Sequence, residues 1–184
     1  MIILKLLAVL IARLLYFFYK YEGINILFKS LPSNIIVHIL RLFGAKIGKD
    51  VRIQAPFLIH NADQIYPIYS NLIIGDDCYI GRDCIFDLMG KISIGHKVTL
   101  SHRIVLNTHT NAGKSPIANK TLVNTSGEIK INDGAYLGIN VTVLESVNIG
   151  SQSIIGAKSL VNRDIQDHVI AFGVPCKVQG PINI

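Results

Sequence analysis

The chain has 184 residues, half of them apolar and 16% charged. That length predicts one domain with a continuous core, and that composition excludes intrinsic disorder. The net charge of +6 is unevenly placed: residues 1–50 carry seven basic and two acidic side chains, whereas residues 51–184 carry eleven and ten. A basic excess confined to an apolar leader argues against a nucleic-acid partner and for an anionic membrane surface. The three cysteines, Cys78, Cys84 and Cys176, show no CxxC or Cys/His spacing. This excludes a disulfide framework and a zinc finger and predicts a reducing cytosol.

Residues 1–19 read MIILKLLAVLIARLLYFFY, nearly long enough to cross a bilayer. Arg13 would then lie near the centre, at a cost of about 2.5–3.5 kcal/mol. On a helical wheel Lys5, Arg13 and Lys20 fall within about 80° of one another, the pattern of a helix lying in the membrane interface and a basis for peripheral contact through residues 1–30. A helix buried against its own domain or a sister subunit, and a true span, are the other readings. No small-residue cleavage site follows, so a signal peptide is not expected. Leu31-Pro32-Ser33 opens a second predicted helix over residues 34–43. Ile35, Ile36, Ile39, Leu40 and Phe43 share one face and Gly44 is the stop, so this helix should cap something. His38 within it reads as a core or surface histidine.

From Lys46 the helical period gives way to aliphatic residues every six positions. Ile47, Ile53 and Ile59 form one series, Ile74, Ile80 and Phe86 a second, and Ile94, Leu100 and Leu106 a third; the last runs through Ile131, Leu137, Val143, Ile149, Ile155 and Val161. Glycine follows the key aliphatic at Gly48, Gly75, Gly81, Gly95, Gly138, Gly150 and Gly156, where each strand must turn a corner, and unusual backbone angles are the expected reason. Four residues after each key position comes a second inward site, filled by small or β-branched residues such as Val51, Cys78, Cys84, Val98 and Ser153. These features predict a solenoid: one hexapeptide per flat face, three faces per coil of about 18 residues, and stacked coils around an aliphatic column. Fifteen key positions predict about five coils. Cys78 and Cys84 are then inward-facing fillers with no redox role.

The period breaks three times, with an excess of 9 residues between Ile59 and Ile74, 2 between Phe86 and Ile94, and 19 between Leu106 and Ile131. Interruptions are where loops leave a stack and where function concentrates. The longest excursion is polar and carries His109.

The repeat together with IIGAKSLVNRDIQDHVIAFGVPCKV resembles the hexapeptide-repeat acyltransferases, in particular the maltose/galactoside O-acetyltransferase-like group and its relatives in capsule, O-antigen and exopolysaccharide pathways. The likeness covers roughly Gly44 to Val178. It implies an all-β fold, a left-handed parallel β-helix contrary to the usual right-handed crossover, with an N-terminal helical segment and one long excursion loop. The domain limits are then 1–44 for the leader, 45–178 for the β-helix and 179–184 for a tail. The resemblance also implies a homotrimer with acetyl-CoA sites between subunits. His109 matches the family's general base, and an imidazole is well matched to deprotonating a hydroxyl near neutral pH. Asp87 falls near the position of an acceptor-contacting Asn. Arg163 and Lys177 match two cations on the phosphate end of coenzyme A, with Lys158 a weaker candidate. Tyr136, Gly138, Gly156 and Ala157 match the lining of the pantetheine groove.

The expected function is therefore acetyl-CoA-dependent O-acetylation of a sugar hydroxyl on a glycan or glycan precursor, at the cytoplasmic face of the membrane. N-acetylation of an amino sugar and a non-catalytic β-helix scaffold in envelope assembly are the alternatives. A zinc enzyme on the same fold would need three converging histidines. His96 and His102, six apart, sit on neighbouring faces, so no metal is expected, and His60, His96, His102 and His168 read as surface residues.

Overall fold

A computed structural model describes residues 2–118 and 120–182 of the chain. Met1 of the predicted leader and residues 183–184 of the predicted tail lie outside them. Helix α1 (Ile2–Phe28) and helix α2 (Ser33–Leu42) precede a three-sided parallel β-helix. Among the described residues its faces are sheets of five, seven and five strands. The first face starts with Lys46–Ile47, the second with Arg52–Ile53 and the third with Phe57–His60.

The strand registers place the predicted key residues in three columns. Ile47, Ile74, Ile94, Ile131 and Ile149 stack on the first face. Ile53, Ile80, Leu100, Leu137 and Ile155 stack on the second, and Ile59, Phe86, Leu106, Val143 and Val161 on the third. All but Ile47 are buried, as are the second inward sites from Val51 to Ser159. Burial pushes the Cys84 thiol up to about 11 and raises Cys78 as well, which keeps both as inert thiols.

The glycines keep their positions but for a different reason. None of the seven that follow a key aliphatic has a positive φ; the left-handed residue comes two places later, as in Asp50, Asp77, Asp83, Lys97 and Asn140. What excludes a side chain is the coil stacked alongside. A Cβ on Gly75 would lie 2.6 Å from the Gly95 carbonyl oxygen, one on Gly81 2.7 Å from the Ser101 carbonyl, and one on Gly138 2.7 Å from the Ala157 nitrogen.

Both ends of the prism are closed. At the first coil the Asn25 side chain acts as a surrogate strand, donating to the Ile59 carbonyl at 2.8 Å and accepting from its N–H at 3.2 Å. The Ser33 hydroxyl accepts from the Ile53 N–H at 2.8 Å, and the Arg41 guanidinium donates to the carbonyls of Ile47 and Gly48. The capping role expected of α2 is thus met by an apolar face, Ile35, Ile36, Val37, Ile39 and Leu40, and by two polar side chains whose three hydrogen bonds satisfy an otherwise open sheet edge. At the far end Val169–Phe172 pairs antiparallel with Lys177–Pro181, so the sheet runs past the predicted boundary at residue 178.

The leader departs from its expected form. It is not one straight helix: Lys20 has φ 54° and ψ −145°, and the chain turns there. Gly23 then packs so closely on the first segment that a Cβ would lie 2.6 Å from the Leu15 carbonyl oxygen. The leader therefore changes direction at Lys20, the last cation of the predicted stripe. No helix among the described residues is long and apolar enough to cross a membrane.

Candidate active site

The excursion leaves the third face after Leu106 and is pinched at its base by an antiparallel pair, His109–Thr110 with Thr125–Ser126. The Asn107 side chain donates to the His109 carbonyl at 2.7 Å and the Gly127 N–H donates to the Thr108 carbonyl at 2.9 Å. These contacts set the His109 backbone at the corner that follows the third face.

One coil below, the strand Cys84–Asp87 ends at the same corner. His109 Nδ1 lies 2.6 Å from Asp87 Oδ2. The rest of the carboxylate is enclosed: Oδ1 accepts from the Asn61 amide at 2.7 Å and the Met89 N–H at 3.3 Å, and Oδ2 from the Thr108 N–H at 3.0 Å. The Thr108 hydroxyl accepts from the Gly90 N–H at 2.8 Å and points its own proton at Asp87, with both Oδ2 and the main-chain oxygen at 2.9 Å. Burial alone would push the Asp87 carboxyl up, but the donors Asn61, His109, Thr108 and Met89 together outweigh it and hold the group below the usual carboxylate range. An ionised carboxylate only accepts, so Nδ1 carries the proton and the neutral ring keeps its lone pair on Nε2.

One coil above, Glu145 secures the excursion. Its Oε1 accepts from the Thr110 hydroxyl at 2.9 Å and the Thr125 hydroxyl at 2.8 Å, joining the two paired strands at their base. Burial raises this carboxyl too; hydrogen bonds from its own main chain, Thr125 and Thr110, with the nearby His109, more than reverse that. Its Oε2 is buried without a hydrogen-bond partner among the described residues. A shallow cavity of about 190 Å³ opens beside the histidine, lined by Met89, His109, Thr110, Asn111, Asn124 and Thr125, among others.

The structure thus brings together two of the predicted site residues, His109 and Asp87. Asp87 is only 4% exposed, and its oxygens face protein donors, so its geometry is that of a partner for the histidine and not of an open acceptor contact. The other candidates lie elsewhere on the chain. Tyr136 is on the second face, 44% exposed, its hydroxyl accepting from Ser101 at 3.2 Å. Gly138, Gly156, Ala157 and Lys158 follow it at the corner after that face, with Ala157 and Lys158 exposed. Arg163 shares the corner of His109 further up the stack, and Lys177 opens the terminal hairpin opposite Phe172. Both are exposed and make no ion pair among the described residues. The GVPCKV turn is tied to the stack by Leu160, whose N–H donates to the Gly173 carbonyl at 3.0 Å and whose carbonyl accepts from the Cys176 N–H at 2.8 Å.

Asn61, Thr108 and Glu145 are the site residues that sequence reasoning missed. One signal was available: at the corner after the third face, a polar residue follows the key aliphatic within two positions at Asn61, Asp87, Thr108 and Glu145, on successive coils. His96 and His102 have structural tasks, each Nδ1 accepting from a backbone N–H twenty residues earlier, that of Asp76 at 3.0 Å and Arg82 at 2.9 Å. Among the described residues no group of three or more His, Cys, Asp or Glu is placed to hold a metal ion.

No family model matches the chain. It is 32% identical over 155 residues to a galactoside O-acetyltransferase of Lactococcus lactis subsp. lactis (strain IL1403), spanning 80% of this chain and 68% of the relative. It is 33% identical over 142 residues to an Escherichia coli (strain K12) protein named as a colanic acid biosynthesis acetyltransferase, spanning 76% and 71%. A solved galactoside acetyltransferase in complex with coenzyme A superposes with a TM-score of 0.74 at 24% identity, over 88% of this chain and 78% of that one. Repeat, fold and relatives agree, and the chain belongs to the hexapeptide-repeat acetyltransferases.

Proposed function

We propose that the protein transfers an acetyl group from acetyl-CoA to a sugar hydroxyl of a glycan or glycan precursor, with His109 as general base and Asp87 as the group that orients it. The observation that carries this reading is the 2.6 Å contact between His109 Nδ1 and an enclosed Asp87 carboxylate, in a chain of an acetyltransferase family. Nε2 takes the proton of the acceptor hydroxyl as its oxygen attacks the thioester carbonyl carbon. The carbon–sulfur bond breaks, and the proton held on Nε2 passes to the departing thiolate. Asp87 stabilises the imidazolium between these two events. Direct transfer is preferred to an acyl-enzyme: Ser126 pairs with His109 across the base of the excursion, but its hydroxyl makes no hydrogen bond to the imidazole among the described residues, and the three cysteines are buried, with thiols raised by burial.

On this reading coenzyme A lies along Tyr136, Gly138, Gly156, Ala157 and Lys158, where Gly138 packs closely on Ala157 of the next coil. Its phosphates meet Arg163 and Lys177. Bound coenzyme A in a relative of the same fold supports this donor. The base and the pantetheine candidates sit at different corners of one prism, an arrangement that suits a homotrimer whose neighbours bring two corners together. The winding is left-handed over about five coils, no metal takes part, and residues 1–30 make peripheral contact with the cytoplasmic face of a membrane, near a membrane-borne glycan.

The test is acetyl-CoA turnover against a panel of free and lipid-linked sugars. His109→Ala should lower kcat by about 10²- to 10⁴-fold, and unchanged turnover would sink the catalytic assignment. Arg163→Ala with Lys177→Ala should weaken coenzyme A affinity in calorimetry; an unaltered affinity removes the phosphate assignment while leaving the base in place.

A further inference from the structure

The catalytic reading uses the β-helix and leaves the surface of the leader unexplained. In the first segment of α1, Ala8 and Ala12 are buried, and the large apolar side chains face away from the domain. At 100° per residue the exposed apolar positions run from Leu6 and Phe17 through Leu10, Leu14 and Phe18 to Leu4, an arc of about 160° without a polar residue. Phe17 is 73% exposed and Leu10 66%. Arg13 stands at the border of this arc, beside Leu6.

Past Arg13 the surface opens into a notch of about 270 Å³ between α1, the end of α2 and the loop over residues 61–71. Arg13 lines it with Tyr16, Leu42, Phe43, Tyr66 and Pro67. Tyr66 is 84% exposed and its neighbour Ile65 50%, so this loop continues the apolar surface of the helix. Beside the notch, Lys20 Nζ lies 5.7 Å from the centre of the Tyr16 ring. Neither Arg13 nor Lys20 has an acidic partner among the described residues.

We infer that this notch binds the headgroup of an anionic membrane lipid, its phosphate on Arg13 and Lys20 and its acyl chain along Tyr16, Leu42 and Tyr66, while the apolar arc of α1 enters the same leaflet. This rests on the peripheral membrane contact proposed above and adds a site and a lipid class to it. Charge selects the occupant. A second copy laid on the arc would bring two leaders together, each with seven basic and two acidic residues in its first fifty; an anionic headgroup neutralises them instead. Aromatic rings flanked by Arg and Lys at the edge of an apolar face are also the composition that suits the headgroup layer.

The test is flotation of the full chain with vesicles of phosphatidylcholine, alone or with phosphatidylglycerol. The wild-type protein should bind the anionic vesicles more tightly. Arg13→Gln should weaken that binding about fivefold and leave binding to pure phosphatidylcholine unchanged, Arg13→Lys should retain it, and Tyr66→Ala should weaken both. Thermal melts on the same samples separate a lost contact from a lost fold. Calorimetric titration of the wild-type protein with short-chain phosphatidylglycerol below its micelle concentration tests the notch without any variant, and saturable binding is expected. Flotation of the wild-type protein with no response to Arg13→Gln and no short-chain binding would overturn the notch and leave the membrane reading standing. Flotation with neither vesicle would overturn the membrane reading itself. Dissociation of the oligomer by Leu10→Glu in sedimentation would then identify the arc as an interface between copies.

Discussion

The corners that follow the second and third faces are built from the same hexapeptide, yet they differ in what they keep. After the second face the positions are stripped: Gly81 and Gly138 bring neighbouring coils into backbone contact, Gly156 lies against the Phe172 side chain, and the side chains beyond them, such as Arg82, Ala157 and Lys158, stand in solvent. After the third face they are loaded with Asn61, Asp87, Thr108 and Glu145, and a buried polar network holds His109 in one orientation. A repeat that needs only an aliphatic key residue and room for its neighbour leaves its corners free to diverge. On the proposed reading, coenzyme A lies along the first of these corners and the general base stands at the second.

The strongest way to break this comparison is at the loaded corner. Asp87→Asn keeps the size of the side chain and removes its charge, so the histidine loses the acceptor that keeps its proton on Nδ1. Turnover should fall by roughly 10²- to 10⁴-fold with little change in the binding of acetyl-CoA. The same substitution has a signature in acid. The folded carboxyl titrates below its unfolded value of about 3.9, so its ionisation adds stability that is fully present above that value and is lost as pH falls through the lower, folded one. Thermal melts should show the wild-type protein losing its advantage over Asp87→Asn below about pH 4. A constant difference between the two down to pH 2 would mean that the carboxylate is not stabilised in the fold.

At the stripped corner the expected loss is of stability and not of chemistry. Gly81→Ala places a methyl group 2.7 Å from the Ser101 carbonyl, against backbone that cannot swing aside. A destabilisation of about 1–3 kcal/mol is expected in denaturant unfolding, with the turnover of the remaining folded protein unchanged. No loss would show that the coils can separate there, and that glycine is not set by close stacking.

These two corners also mark how far the sequence could be read. The columns from Ile47 to Val161 were legible because one residue class at a fixed interval has one structural meaning, a side chain directed inward. The glycines were legible in position but not in cause: spacing locates a corner, whereas the distance to the next coil exists only in the fold. Thr108 meets Asp87 across two neighbouring coils, and Glu145 lies beyond the interruption and meets Thr110 and Thr125 only because the excursion returns in register, so their place in the sequence did not show these partners. The turn at Lys20 was hidden because an apolar run with helical spacing continues through it, and the close approach of Gly23 to Leu15 is a tertiary contact. The extra strand to Pro181 lies past the repeat and pairs antiparallel, outside the periodicity altogether.

The smallest expected effect sharpens the contrast between the corners. Arg103 Nε and Asp83 Oδ2 stand 4.0 Å apart at the stripped corner, with side chains 63% and 50% exposed. Water screens such a pair, and holding two mobile side chains together offsets most of what remains. Arg103→Gln removes the charge and keeps the Cβ and most of the side-chain length, so the left-handed backbone at φ 60° is undisturbed. Unfolding free energy should therefore change by less than about 0.5 kcal/mol. The pair is close in kind to Asp87 with His109, an acid against a base across neighbouring coils, but it lacks enclosure and supporting donors. A loss from Arg103→Gln as large as that from Asp87→Asn would show that charge alone, wherever it stands on the prism, stabilises the stack.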